Sequence, residues 1–410
     1  MAGLFLKVSV TLAVVIAIAF QLLLKDLVWM GLGIGKHIQP LSDFPYKCRR
    51  IDDPRFQACE DMWLSESTRQ LFMACSTTDG RKHWIPNGLS LNVTGRSLSD
   101  AIVAVDIDKP KGDSFEFRAL KTPGFTGTAG DGLLNVLGVT GVDDPNGDVE
   151  LLLNNNRPSL DPATGAILPD QTHVGANSTL ELFRVSGRSS EMKHLRTFAD
   201  AHVTTPNSMA PAGAGPGIRR FYMSNSGGPY KTGLKALFGP LFGSGDITYC
   251  DGSTDELSCK VVSAGHKLPN GMLRNSKDGL IYAASSVTGI ISVFRPLPDG
   301  GLAEVDRIDI GYGLDNLSED ANGDIWASIY PRGIEILMAF GDPWNAKCKA
   351  AVVRVRREAD GGYSWEKVLE DGDAEVLPGS TVAVHDSKTG RLFFGSVYAP
   401  YIGVCEPIPA

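Results

Sequence analysis

Apolar and polar residues alternate over short stretches through most of the chain, and these stretches recur at intervals of tens of residues. Each follows a turn with Gly or Asp and runs as an apolar strand into small residues, after which a second turn leads toward another strand. This alternation, with β-branched and aromatic residues, is typical of strands and hairpins. The five examples are RQLFMACS (69–76), GDVELLLNN (147–155), DGLIYAASSVTGIISVFRP (278–296), GDIWASIYPRGIEILM (323–338) and GRLFFGSVYAPYIGVCEP (390–407).

The repetition predicts an all-β radial array. Hairpins repeated at such spacings indicate a propeller or a similar closed arrangement, and closing the ring removes the exposed edges of its sheets. No long helical pattern alternates with the strands, which argues against a parallel α/β sheet. A pair of β-sandwiches in tandem is the alternative, although it explains the repeats less well. We therefore predict a β-propeller over residues 47–410.

The N-terminus carries a long apolar run. Val8 to Leu24 contains no charged residue and is bounded by Lys7 and Lys25. As a helix it would extend about 25 Å, slightly less than the hydrocarbon core of a bilayer. No clear small-residue cleavage site follows it, so an uncleaved signal anchor is favoured over a removed signal peptide. We expect a transmembrane helix at residues 1–25 and a neck at 26–46, with the membrane as a partner.

The composition suits an all-β protein and excludes one class of partner. Charged residues make up 21% of the chain, the formal net charge is −8, and 46 Gly and 24 Pro residues allow many tight turns. An acidic chain without basic runs is a poor nucleic-acid binder, because phosphate neutralisation needs clustered Lys and Arg. We expect no nucleic-acid partner.

The seven cysteines agree with the secretory pathway that the N-terminus predicts. None belongs to a C-x-x-C pair, which argues against a zinc site. Cys48 and Cys405 lie near the two ends of the predicted propeller, where a disulfide would close the ring and a very long loop. Cys250 and Cys259 flank a polar stretch and could staple a local loop. The odd count leaves at least one thiol free or intermolecular, and the sequence does not fix the pairing of Cys59, Cys75, Cys250, Cys259 and Cys348.

Two sequons fit the same compartment. Asn92-Val-Thr and Asn177-Ser-Thr are predicted glycosylation sites. They are expected on a propeller that is either anchored with its domain in the lumenal or extracellular space, or secreted.

Four stretches together resemble the paraoxonase/arylesterase family of calcium-dependent hydrolases. Their order and spacing carry the resemblance, which runs from about Cys48 to Pro407. It implies a six-bladed propeller of the gluconolactonase-like superfamily with a hydrophobic N-terminal helix. The stretches are CEDMW (59–63), LPNGM (268–272), GLDNLSED (313–320) and GSTVAV…GRLFFGSV…YIGVCE (379–406).

The resemblance also implies one calcium ion in the central tunnel. Its ligands, carried over residue by residue, would be Glu60, Asn207, Asn270, Asp315 and Asn316. Calcium prefers six to eight carboxylate and carbonyl oxygens, and these side chains would supply five of them. Asn207 and Asn270 also stand where ordinary turn residues would, so a purely structural role is the alternative for each. The sequon at Asn316 is discounted because a ligand there would be buried.

The sequence departs from the family pattern at two places. A second, structural calcium would need Asp61 and another carboxylate where this chain has Ser208, so that second site is in doubt. The two histidines of the family's proton-transfer pair correspond to Leu137 and Arg157. His202 and His266 lie within five residues of a predicted ligand, although a structural position is the commoner case for such histidines.

These observations predict a calcium-dependent hydrolase of esters, with lactones or aryl esters as the small-molecule substrates. Asp315 and Glu60 are the candidate catalytic residues, because calcium could polarise the carbonyl while a carboxylate acts as base or nucleophile. One alternative is a catalytically weakened, calcium-stabilised propeller that acts as a binding or scaffold protein. Another is a propeller enzyme with different chemistry, of the strictosidine-synthase type.

Overall fold

The computed structural model describes residues 2–409, except for the side chains of residues 2–6, 23, 240 and 241. Twenty-four of its strands form six four-stranded antiparallel sheets. The innermost strand of each sheet contacts the innermost strands of the two neighbouring sheets, so these six strands close into a ring. The structure therefore confirms the prediction of a six-bladed β-propeller.

The strands of the first three blades follow one another along the chain. The outermost strand of the last blade is β1 (Tyr46–Ile51). Blade 1 comprises β2 (Asp61–Ser65), β3 (Gln70–Cys75), β6 (Ala101–Lys111) and β7 (Ser114–Ala119), and a separate ribbon pairs β4 (Trp84–Ile85) with β5 (Ser90–Leu91). Blade 2 comprises β8 (Val136–Asp143), β9 (Asp148–Asn155), β10 (Thr179–Ser186) and β11 (Met192–Phe198). Blade 3 comprises β12 (Pro206–Pro211), β13 (Arg220–Asn225), β14 (Gly245–Asp251) and β15 (Ser258–His266).

The remaining blades repeat the same order from the axis outward. Blade 4 comprises β16 (Pro269–Arg274), β17 (Ile281–Ser285), β18 (Ile290–Pro296) and β19 (Leu302–Asp309). Blade 5 comprises β20 (Gly313–Glu319), β21 (Ile325–Tyr330), β22 (Ala350–Arg357) and β23 (Tyr363–Asp371). Blade 6 comprises β24 (Val382–Asp386), β25 (Arg391–Gly395), β26 (Ile402–Pro407) and β1. The six innermost strands that form the ring are β2, β8, β12, β16, β20 and β24.

The hydrophobic core lies between the blades rather than on the axis. One cluster joins Leu71 of blade 1 to Val384 and Phe393 of blade 6, and another joins Val293 of blade 4 to Ala327 of blade 5. Second strands such as β3 are therefore buried on both faces and read as continuous apolar runs. The arrangement leaves the axis free for polar residues.

The first and last strands of the propeller close the ring. Cys48 in β1 pairs with Cys405 in β26 in the strand register, and their sulfur atoms form a disulfide. The predicted disulfide is confirmed, and so is the local disulfide between Cys250 and Cys259. A third disulfide joins residues 59 and 75, and buried Cys348 is the free thiol of the described chain. Three disulfides point to an oxidising compartment.

Five α-helices accompany the strands. They are α1 (Ala2–Ala19), α2 (Lys25–Leu32), α3 (Thr78–His83), α4 (Gly233–Phe242) and α5 (Gly333–Ala339). A π-helical turn at Phe20–Leu24 joins the first two, and single 3-10 turns occur at Leu41–Asp43, Pro86–Gly88 and Val93–Gly95.

Helix α5 corrects one sequence prediction. The stretch 323–338 was expected to supply two strands, but only its first half is a strand. In the second half, Ile336 and Ala339 are buried at a helical spacing of three, whereas Leu337 and Met338 are exposed. Residues that favour helices, covered on one side only, explain the difference.

No single helix among residues 2–409 is long and apolar enough to cross a membrane. The segments Lys7–Leu22 and Lys25–Leu32, bent by 58°, have the required length and composition only when taken together. The segment expected to be a neck is held along blade 5: Gly372 N donates to Gln39 O at 2.9 Å, and Lys367 Nζ donates to His37 O at 3.1 Å.

Both predicted glycosylation sites are on the surface. Asn92 and Asn177 are exposed, whereas Asn316 is 1% exposed and inaccessible to modification. Glycosylation itself stays a prediction.

Candidate functional site

The five residues expected to bind calcium lie at one end of the central tunnel. Glu60 directly precedes β2, and Asn207 and Asn270 are the second residues of β12 and β16. Asp315 and Asn316 lie near the start of β20. Four of the five line one cavity, and Asn316 contacts Glu60. Residues from four blades thus meet because the inner strands of a propeller begin at the same end of the ring.

A β-bulge occurs near the start of four inner strands. The register shifts fall at residues 137–138 in β8, 207–208 in β12, 270–271 in β16 and 315–316 in β20. A bulge leaves its extra residues out of the ladder and re-aims their side chains. The same irregularity in successive blades therefore places four side chains in the cavity. They are those of Leu137, Asn207, Asn270 and Asp315.

Two of these bulges contain a glycine because neighbouring blades approach closely there. A Cβ atom on Gly138 would clash with the carbonyl oxygen of Asn207. One on Gly271 would lie 2.5 Å from Asn316 Cα and 2.6 Å from Asp315 O. A larger residue at either position would displace a predicted ligand.

Hydrogen bonds connect Glu60 directly to blade 5. Asn316 Nδ2 donates to Glu60 Oε1 at 2.9 Å, although the two residues are 256 positions apart in sequence. Thr381 lies just before β24. Its hydroxyl donates to Glu60 O at 2.8 Å, and its carbonyl oxygen accepts from Asn316 N at 2.9 Å. The site is thereby fixed from blades 1, 5 and 6.

Each of the five predicted ligands carries a buried side-chain oxygen without a hydrogen-bond partner. Such an atom costs about 1–3 kcal/mol, so five in one place require a common explanation. Carboxylate and carboxamide oxygens are the donors that calcium prefers, and the residues therefore fit a calcium ion. The atoms are Glu60 Oε2, Asn207 Oδ1, Asn270 Oδ1, Asp315 Oδ1 and Asn316 Oδ1.

The asparagines are essential to this donor set. Within residues 2–409, no group of three or more His, Cys, Asp and Glu side chains is placed to hold a metal ion. A cation at this end of the tunnel would depend on amide oxygens as much as on carboxylates. Such a set suits calcium better than zinc, which takes nitrogen and sulfur ligands.

Burial and neighbouring negative charge disfavour the ionised form of the carboxylates at the site. Burial raises the pKa of Glu60 well above its usual value, and the neighbouring charges of Asp61 and Asp315 raise it further. Burial also raises the pKa of Asp315, with a further contribution from Asp61. Arg81 offsets part of the negative charge that acts on Glu60.

Sequence reasoning missed two residues that position the ligands. Asn154, in β9, donates from Nδ2 to Asn207 O at 3.1 Å. Ser224 holds the corresponding place in β13 and donates its hydroxyl to Asn270 O at 2.6 Å. Each lies in the second strand of a blade and supports the bulge of the next blade. Nothing in the hydrophobic pattern marks such a role.

Asn87 is a further missed residue of the cavity. Its Nδ2 donates to Pro206 O at 2.9 Å, and its Oδ1 is buried without a partner. A signal was present in the sequence, because IPNGL (85–89) repeats the pattern of LPNGM (268–272).

The two positions that correspond to family histidines have different surroundings. Leu137 is 1% exposed and forms part of the cavity wall. Arg157 is fully buried away from that cavity, where its Nη1 donates to Asp131 Oδ1 at 2.7 Å. Only the first position could therefore touch a molecule in the cavity.

The remaining histidines do not replace this pair. The His202 side chain is hydrogen-bonded to Asp200 near the surface. The His266 side chain is hydrogen-bonded to Ser263, and burial lowers the pKa of His266. Neither lines the cavity, and the same holds for every histidine in the described chain.

The residues that would hold a second calcium are already occupied by hydrogen bonds. Asp61 Oδ1 accepts from Met62 N at 2.9 Å and Oδ2 from Val139 N at 3.0 Å. The Ser208 hydroxyl accepts from Met272 N at 3.0 Å. Burial raises the pKa of Asp61 to about 7, against the effect of the two N–H groups. Unlike the five predicted ligands, neither Asp61 nor Ser208 carries a buried oxygen without a partner.

The cavity above the predicted ligands has a volume of about 450 Å³ and mainly apolar walls. Leu137, Tyr330 and Val397 line it on the propeller side, and residues of α2 and α5 line it on the outer side. A polar floor under apolar walls is the usual form of a small-molecule site.

Comparison with known proteins places the sequence in a family. A model of the arylesterase family matches residues 161–405, which is more than half of the chain. Human serum paraoxonase/arylesterase 1 and chicken serum paraoxonase/arylesterase 2 are each 28% identical over 230 residues. Each alignment covers 55% of this chain and 60% of the relative, so the matched region spans well under two thirds of either relative.

A solved structure described as a luciferin-regenerating enzyme is a more distant neighbour. It is 8% identical, with a TM-score of 0.46, over 88% of this chain and 95% of its own. The six sheets described above establish the fold without it.

Proposed function

The chain belongs to the arylesterase family, and on that premise we propose that it hydrolyses carboxylic esters, with lactones or aryl esters as substrates. The observation that carries the proposal is the set of five buried, unpartnered oxygens on the floor of an apolar cavity. Glu60, Asn207, Asn270, Asp315 and Asn316 would hold one calcium ion. When bound, calcium would polarise the ester carbonyl and stabilise negative charge developing on its oxygen.

The protein's own residues have separate tasks in this proposal. Asp315 lines the cavity and would accept the proton of the attacking water or attack the ester itself. Glu60, held by Asn316 Nδ2, would keep the ligand set in place and supply a second negative charge. The apolar walls would bind the substrate's hydrocarbon part and exclude bulk water.

Leu137 supports a second candidate function. An apolar side chain stands in the cavity at the position of a family histidine, and a general base typically contributes about 10²–10⁴-fold to a rate. The second candidate is accordingly a calcium-stabilised propeller that binds an apolar ligand without efficient hydrolysis.

Calcium removal is the central test. We expect chelation with EGTA to abolish hydrolysis of phenyl acetate and of an aliphatic lactone, with recovery when calcium is restored. Asp315→Asn should reduce the rate by at least about 100-fold, whereas Asp255→Asn, on an exposed loop, should leave it unchanged. Full activity in chelator would refute the proposal.

The same preparation separates the two candidates. Calcium should raise the unfolding temperature under both, because a bound ligand stabilises the folded state. Stabilisation without turnover of any lactone or aryl ester would favour the binding function. Neither stabilisation nor turnover would exclude both.

We also propose that the N-terminal apolar segment, residues 1–25, anchors the protein in a membrane of the secretory pathway. The apolar run and the bent helix pair support this proposal, together with the disulfides. Cell fractionation should find the chain in membranes after alkaline extraction.

We also propose that Asn92 and Asn177 are glycosylated. Enzymatic deglycosylation should increase the electrophoretic mobility of the chain unless both Asn92 and Asn177 are replaced by Gln.

A further inference from the structure

Helix α2 forms one wall of the cavity that holds the predicted ligands. Leu27, Met30 and Gly31 line the same space as Glu60 and Asp315. The sequence assigns this helix to a connecting neck, whose expected task is only to join a membrane anchor to the domain. Its position against the site gives it contact with any molecule that occupies the cavity.

The helix is held in place at its C-terminal end. Gly33 ends it in the left-handed conformation, with φ of 64°, and a Cβ there would clash with the carbonyl oxygen of Pro331. A Cβ on Gly333, at the start of α5, would lie 3.4 Å from Met30 O. Gly33 therefore allows the end of α2 to lie against the chain that leads into α5, and Gly333 lies close to Met30 of α2.

The chain that follows α2 fixes its position as well. Lys36 Nζ donates to Gly311 O and lies 4.3 Å from the centre of the Tyr312 ring. Gln39 then bonds to Glu370 and Gly372 at the outer strand of blade 5. The helix is therefore a fixed part of the cavity rather than a loosely tethered segment.

The chemistry of the wall is uniform. Every residue that α2 contributes to the cavity is apolar, and α5, which packs against α2, adds Ile334 and Leu337. The oxygens of Glu60 and Asp315 lie at the floor. A molecule whose polar group reaches the floor would thus extend its hydrocarbon part along the two helices.

We propose that helix α2 is a specificity-determining element, which accepts the apolar acyl chain of an ester against Leu27, Met30 and Gly31. This inference rests on the proposed function. Burying one methylene contributes about 0.8 kcal/mol, so the wall should favour long-chain over short-chain esters.

Gly31 offers a direct way to fill the cavity. A Cβ atom there would meet nothing within 4 Å, and its backbone is helical rather than left-handed. A side chain at this position would therefore start in open space, beside the cavity that Gly31 lines. Gly213 has the same open surroundings and an ordinary backbone, and it lines a separate cavity at the other end of the tunnel. It therefore provides a matched control.

The test compares full-length Gly31→Phe and Gly213→Phe on p-nitrophenyl acetate, butyrate, octanoate and decanoate. In Gly31→Phe, kcat/KM for the decanoate should fall about tenfold or more relative to the acetate. The control should keep the wild-type ratio. Met30→Ala, which removes apolar contact from the same wall, should also lower the ratio of decanoate to acetate. An equal fall for all four esters, or no change in the ratio, would overturn the inference.

A binding measurement separates this inference from the proposed function. The neutral fluorescent dye prodan, displaced by 1-decanol, reports on the cavity without any hydrolysis. If the wild-type chain hydrolyses no ester, the proposed function fails. The role of α2 is then supported if Gly31→Phe weakens decanol binding about tenfold while Gly213→Phe does not, and is refuted if the two variants bind alike.

Discussion

The two ends of the central tunnel carry adjacent carboxylates with opposite surroundings. At the cavity end, Glu60 has a buried oxygen without a partner. Its neighbour Asp61 belongs to the other end, where both oxygens accept backbone N–H groups. Both residues are at most 4% exposed. Burial alone therefore does not distinguish the two residues, whereas the presence of an unpartnered acceptor does.

A pair in blade 3 repeats the contrast. Asn207 Oδ1 is unpartnered, whereas the hydroxyl of Ser208 is engaged by Met272 N. The bulge at residues 207–208 separates the two side chains, so that Asn207 lines the cavity and Ser208 lines the opposite end of the tunnel. At the cavity end, acceptors such as Asn207 Oδ1 have no hydrogen-bond partner. At the other end, polar atoms such as the Ser208 hydroxyl form hydrogen bonds between neighbouring blades.

Removing the charge at the cavity end should have the largest effect. Glu60→Gln keeps the size of the side chain but takes one of the two ligand carboxylates from the set. We expect ester hydrolysis to fall about 10²–10³-fold, equivalent to about 3–4 kcal/mol. Calcium should then no longer raise the unfolding temperature. Retention of both properties would show that the two ends do not differ in this way.

The matched change at the other end should affect stability instead. Asp61→Asn leaves one acceptor for two N–H groups, so the free energy of unfolding should decrease by about 2 kcal/mol. Hydrolysis per folded molecule should stay within a few-fold of the wild type. Urea unfolding monitored by tryptophan fluorescence measures the first quantity. A large loss of calcium affinity would contradict the assignment.

Ser208→Ala tests the same contrast with a smaller change. It removes the acceptor for Met272 N and should cost about 1 kcal/mol of stability. Calorimetry should find the same number of calcium ions per chain as in the wild type. A reduced number would mean that Ser208 belongs to a second ion site.

The smallest effect is expected in acid, also at the end opposite the cavity. Burial alone would raise the pKa of Asp320, but hydrogen bonds from His385 and Trp326 outweigh it and lower the pKa below 3.8. Ionised Asp320 therefore stabilises the fold above that value, and the stabilisation is lost as the pH falls through the lowered pKa.

Asp320→Asn should accordingly move the midpoint of acid unfolding to higher pH and leave hydrolysis at neutral pH nearly unchanged. Asp255→Asn, on the surface, should not move the midpoint. Identical acid unfolding of Asp320→Asn and the wild type would show that these hydrogen bonds do not stabilise the junction of blades 5 and 6.

Much of the fold could be predicted because its signals are local. Alternating strands, abundant turn residues and one cysteine near each end of the domain indicated a closed all-β ring, and the structure confirms it. The prediction failed at 333–339, where a short apolar stretch is covered on one side only and forms α5. Periodicity over so few residues does not distinguish a helix from a strand.

The site was only partly predictable. The family resemblance implied Glu60, Asn207, Asn270, Asp315 and Asn316, and the structure brings them together at the tunnel floor. Asn154 and Ser224 could not be found in this way, because their roles depend on bulges in a neighbouring blade.

By itself the sequence determined the class of fold, the ring closure and the residue types available for a cation. Hydrophobic periodicity and the positions of the cysteines can be recognised in the sequence without knowledge of distant contacts. Only the tertiary structure decided which buried oxygens stay unpartnered, and that α2 lines the cavity. Both depend on contacts between distant parts of the chain, such as that between Glu60 and Asn316 across 256 positions, which exist only once the blades have closed into a ring.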